Sequence, residues 1–131
     1  MFKRSLSVLV VGGCLLAGGA LQAHHSLSAT YDIRKSGEVT GVITSVKFTN
    51  PHGAIEMDVK NDDGTMTGWT MTTGSANTLQ SLGFGSDGPN TVVAGDVVTI
   101  SFYPARKADA NLGFIRSITL PDQRQIEFEI E

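Results

Sequence analysis

Apolar residues recur at every second position through most of the chain beyond residue 37, the spacing of strands buried on one face. Val39 to Phe48 is the first such run, with Val42, Val46 and Phe48 assigned to the inner face and Thr40 and Thr44 beside them. Gly41 within it suggests a bend or bulge. Asn50-Pro51-His52-Gly53 reads as a turn, and Ile55, Met57 and Val59 then alternate with Glu56, Asp58 and Lys60. Asp63-Gly64 predicts a tight hairpin into Met66 to Thr72, where Trp69 and Met71 share a face. Ser75 is placed to cap a single short helix with Leu79 and Leu82 inward and Gly83 as its end. Val98, Ile100 and Phe102 mark the next strand, and a polar loop carrying Arg106, Lys107 and Asp109 follows. Phe114 to Leu120 and Arg124 to Ile130 form a last hairpin, with Ile126, Phe128 and Ile130 inward and Glu127, Glu129 and Glu131 outward.

Short strands with one apolar face each must close on themselves or pack in two layers. The helix between the third and fourth strands favours closure. The expected fold is therefore mainly all-β: a small OB-like barrel of five to six antiparallel strands with one short helix, preceded by a signal peptide. Lys3 and Arg4 form a basic start, and Leu6 to Leu21 is apolar or small and uncharged, diluted by four glycines. A membrane span needs roughly 20 predominantly apolar residues, so the segment reads as an export signal cut between Ala23 and His24. The rival reading is a lipoprotein cut before Cys14, against which the apolar run continues past that cysteine. The organisation expected is a cleaved signal over 1–23, an extended arm over 24–37 and a barrel domain over 38–131. The product would be periplasmic or secreted, with no membrane span after cleavage.

The 131 residues carry 10 Lys and Arg against 13 Asp and Glu, a formal charge of −3. Removing Lys3 and Arg4 makes the remainder more acidic, which opposes nucleic acid as a partner. Cys14, the one cysteine, lies in the signal. The mature chain is thus expected to have no disulfide, thiolate nucleophile or cysteine-held metal.

A mature start of His24-His25-Ser26, then Tyr31-Asp32, Gly37 to Val39 and Asn50-Pro51-His52, is similar to a family of small exported bacterial proteins, the domain of unknown function family 6152. The likeness continues through Asp63-Gly64, Trp69, Gly74-Ser75, Leu79, Gly83, Ala94-Gly95-Asp96-Val97-Val98 and Ser117 to Asp122. Phe48-Thr49 stands where the family usually has a Trp, Gly53 replaces a commoner Ala or Ser, and Gln123 a usual hairpin Gly. The resemblance implies a periplasmic β-rich domain and brings no established activity.

The three histidines are the candidate chemistry. His24 at a new terminus would offer an α-amine and an imidazole on one residue, and His25 and His52 would complete a nitrogen-rich set suited to copper(II). Asp32 is a possible outer partner of such a site, although it is also read as simply solvated, as are Glu56 and Asp58. The arm and the first strand each reach about 40–50 Å at roughly 3.3 Å per residue, so the terminus meets His52 only by folding back antiparallel along that strand. No nucleophile–base constellation is visible, and no serine sits in a nucleophile elbow. The first functional reading is accordingly a non-enzymatic binding or interaction domain whose partner is a small molecule or a periplasmic protein. The alternative is a copper(II)-binding or copper-handling protein using His24, His25 and His52. A copper redox enzyme is a third reading, and it would need an open coordination position facing a substrate.

Overall fold

The first strand, β1 (Gly37–Lys47), is long enough to serve two neighbours. Its first half pairs antiparallel with β4 (Val97–Pro104), and its second half with β2 (Ala54–Lys60). The computed structural model of the chain describes residues 26–130; the segment expected to be an export signal, its expected cut, His24 and His25 lie outside them. β2 turns through Asp63-Gly64 into β3 (Met66–Thr72), and β5 (Leu112–Thr119) returns beside β4. β5 also pairs with β3 over Thr70–Thr72, which closes the ring β1-β2-β3-β5-β4. That is the OB-like barrel expected, except that the closing β3–β5 pair is parallel, so the strands are not antiparallel throughout, and that a second short helix, over residues 26–30, precedes the barrel.

β6 (Gln125–Glu127) pairs with the end of β5 that β3 leaves open. It is shorter than the strand expected over Arg124 to Ile130. One further bond follows, from the Phe128 N–H to the Arg116 carbonyl at 2.7 Å. The single helix between β3 and β4, α1 (Ala76–Ser81), is capped by Ser75, whose hydroxyl accepts the Thr78 N–H at 3.2 Å.

Ile43, Ile55, Met57, Met71, Val98, Ile100, Phe102, Ile115 and Ile118 fill the barrel, and Leu79 of α1 with Phe84 closes one end. Each such side chain contributes about 1.5–3 kcal/mol on burial. The inner face assigned to β1 needs correcting. Ile43 is buried and Val42 is exposed, while Val46 and Phe48 do pack on the core. The register steps from Ile43↔Met57 to Ser45↔Glu56, leaving Thr44 as an extra residue that reverses the alternation. The bulge thus lies at Thr44 rather than Gly41. The Ile43 N–H and carbonyl pair with the Asp96 carbonyl and the Gly95 N–H, docking the turn before β4 on the bulge.

The arm is not extended. Residues 26–30 are helical, and Tyr31 bridges Ala105. It folds back, but against the β4–β5 connection rather than along β1: the Asp32 N–H donates to the Pro104 carbonyl and the Arg106 N–H to the Thr30 carbonyl. No helix among the described residues is long and apolar enough to cross a membrane.

Candidate functional site

The turn between β1 and β2 lies over the start of α1, tied to it from both sides. Asn50 Oδ1 accepts the Ala76 N–H at 2.9 Å, adding to the cap that Ser75 provides. The Gly53 N–H reaches the Gly74 carbonyl at 3.2 Å, and the Thr73 N–H the Gly53 carbonyl at 2.9 Å. The approach is close at Gly53, where a Cβ would meet the Lys47 carbonyl and come within 2.7 Å of Thr73 Oγ1, so the Ala or Ser commoner in similar chains would need the turn to shift. The Thr49 hydroxyl donates to the His52 carbonyl at 2.8 Å, completing a rigid mount for the imidazole.

His52 Nδ1 lies 3.2 Å from the Thr73 carbonyl. A carbonyl only accepts, so Nδ1 carries the proton, and in the neutral ring Nε2 carries the lone pair. The imidazole stands edge-on to Phe114 with centroids 6.2 Å apart, and Phe114 is in turn edge-on to Tyr31 at 5.6 Å. The Tyr31 hydroxyl bonds Thr72 Oγ1 at 2.8 Å across the parallel seam. Tyr31 and Phe114 are 7% and 8% exposed, so both rings are fixed by packing.

These groups surround a cavity of about 390 Å³ at the edge of the barrel. Leu27, Thr30 and Tyr31 of the arm form one wall, His52, Ser75 and Thr78 another, and Glu129 with Ile130 the rim. Ser26, joined directly to His25, also lines it. The structure therefore brings the chain that follows His24-His25 to the cavity that holds His52. Among the described residues no three His, Cys, Asp or Glu side chains cluster closely enough to hold a metal, so a metal site here requires His24 or His25.

Asp32 is placed elsewhere. It is 7% exposed, which corrects the reading of it as solvated. Its carboxylate faces Arg34 at 3.4 Å, Lys35 at 3.8 Å and Arg106 at 4.0 Å. The Arg34 backbone N–H, opposed by desolvation and aided by the Arg34 and Arg106 guanidinium groups, lowers its pKa below the ordinary value of 3.8. The polar partner that orients His52 is the Thr73 carbonyl, while Asp32 anchors the arm.

The residues that sequence alone did not assign to the site are Phe114, Thr78 and Glu129. Phe114 was legible as a strand residue only. Glu129, expected to point outward in a continuing strand, lies beyond the end of β6 and lines the cavity.

The fold is similar to that of the mitochondrial single-stranded DNA binding protein Rim1 of S. cerevisiae, at 14% identity and a TM-score of 0.48 over 66% of this chain and 92% of that one. It is also similar to the N-terminal domain of the PriB protein from Thermoanaerobacter tencongensis, at 13% identity and a TM-score of 0.47 over 66% and 96%. No curated protein matches the chain. The sequence signature of the family of unknown function DUF6152 matches residues 14–113, and the chain belongs to that family.

Proposed function

We propose that the chain is an exported, non-enzymatic binding domain, acting in the periplasm or outside the cell, and that it holds copper(II) at the mouth of the cavity through His24, His25 and His52. One observation carries the reading: Ser26, the residue that follows His25 in the sequence, lines the same cavity as His52. Once a signal peptidase frees His24, its amine and imidazole form a chelate, and one or two further imidazoles complete the tetragonal nitrogen set that copper(II) favours. The Thr73 carbonyl at Nδ1 supports the role of His52, because a ligating histidine is oriented by a partner on its other nitrogen. The net negative charge supports a cationic ligand over nucleic acid.

The test is a copper(II) titration of protein beginning at His24, beside a version with one alanine before it and a His52→Ala variant. Displacing the amine chelate or removing the imidazole should each weaken binding by at least about tenfold, roughly 1.4 kcal/mol, with unchanged thermal unfolding of the metal-free protein. Equal and weak affinity in all three would overturn the copper reading.

A further inference from the structure

We propose that the cavity beside His52 takes a small organic ammonium ion with an apolar body, independently of any metal. A volume of about 390 Å³ is far more than a coordinated ion occupies, and it falls within the range of sites for small organic ligands. Its walls match such a ligand. Leu27, Tyr31, Phe114 and Ile130 supply the apolar surface. Tyr31 and Phe114 are locked by their edge contact and by the bond to Thr72, so neither ring has to be ordered when the ligand enters.

Charge selects the class. Glu129 lines the cavity, and no lysine or arginine does. Arg34, Lys35 and Arg106 are drawn together on Asp32, which does not line it. Glu129 has no hydrogen bond or ion pair among the described residues, so its carboxylate is available to a ligand. The neutral form of His52 presents an Nε2 lone pair, and the Ser75 and Thr78 hydroxyls add further acceptors. An ammonium group has three N–H donors for these acceptors and the charge that Glu129 lacks a partner for. A carboxylate ligand would meet like charge, and a neutral alcohol would gain the apolar contact and a single O–H donor without the charge.

Three probes sharing an indole body separate these cases: tryptamine with an ammonium group, tryptophol with a hydroxyl and indole-3-acetate with a carboxylate. Each is titrated by calorimetry and by NMR into full mature protein freed of metal and kept in chelator. Tryptamine should bind at least about fivefold more tightly than tryptophol, the scale of a partly exposed ion pair added to a shared apolar contact. Indole-3-acetate should bind weakest, and the shifts should centre on Tyr31, His52 and Phe114. Glu129→Gln, at an exposed position, should bring tryptamine to the affinity of tryptophol and leave tryptophol unchanged. Equal affinities for the three probes, a preference for indole-3-acetate, no binding of tryptamine, or a tryptamine affinity untouched by Glu129→Gln would each overturn the proposal. Because no copper is present, failure here leaves the copper titration intact, and failure of copper leaves this result intact.

Discussion

Asp32 shows how one carboxylate can decide where a whole segment lies. It accepts the Arg34 N–H at 3.2 Å and gathers Arg34, Lys35 and Arg106, while its own N–H is held by the Pro104 carbonyl. Its lowered pKa means that the folded arm favours the ionised form. The stabilisation is therefore complete above the ordinary carboxylate value of 3.8 and is lost as pH falls through the lowered folded value. The expected behaviour is an arm that stays docked at neutral pH and detaches only below about pH 3.8, read from the backbone amide shifts of residues 26–34. Asp32→Asn should leave the arm partly detached at neutral pH and remove that acid transition. A variant that kept the acid transition would show that another group controls it. Nothing local in the sequence marks Asp32 as buried, because its cover comes from Pro104 and Arg106, more than seventy residues along.

At the scale of elements, alternation of apolar and polar residues was a sound guide wherever a strand keeps one register. β2 and β4 bury the residues their sequence pattern assigns, Ile55 and Met57 in one and Val98, Ile100 and Phe102 in the other. β1 departs from its pattern because the bulge at Thr44 reverses the faces on one side of it. A bulge is specified by its partners, here the Gly95–Asp96 turn, and a strand read alone does not contain them. The parallel seam was equally invisible, since it joins β3 to a strand forty residues later. Beside that seam, the packing of β5 against β4 is testable at Gly113, where a Cβ would collide with the Phe102 ring and lie 2.9 Å from Phe102 Cβ. Gly113→Ala should cost about 1–3 kcal/mol in urea unfolding, the range for overpacking a filled core. Gly68→Ala in β3, whose nearest neighbour would be Asp58 Oδ1 at 4.0 Å, should stay within about 0.5 kcal/mol of the parent protein. Equal costs at both sites would mean that the core beside Phe102 has room to spare.

Taken as a whole, the molecule consists of a closed barrel and an arm held on its outside by polar contacts. The barrel interior is apolar, and no buried side-chain polar atom among the described residues lacks a partner. The arm is attached mainly through backbone hydrogen bonds, the Arg106 guanidinium on the Ser28 carbonyl at 2.6 Å, and the Asp32 cluster. Closure by β3–β5 makes the barrel cooperative, whereas the arm has little apolar burial beyond Tyr31 and belongs to the low-stability end of the structure. Ile100→Ala, at a fully buried position, should lower global stability by about 2–5 kcal/mol. Arg106→Ala should instead raise hydrogen exchange in residues 26–34 and leave the global unfolding midpoint where it was. A global loss in Arg106→Ala equal to that of Ile100→Ala would show that arm and barrel unfold as one unit. The difference bears on function, because the arm supplies Leu27 and Tyr31 to the cavity and leads directly to His24 and His25. Loosening it from the far side, at a residue that does not line the cavity, should weaken both copper(II) and tryptamine binding while leaving Glu129 and His52 in place. A ligand whose affinity is unchanged in Arg106→Ala would be bound by the barrel alone, without help from the arm.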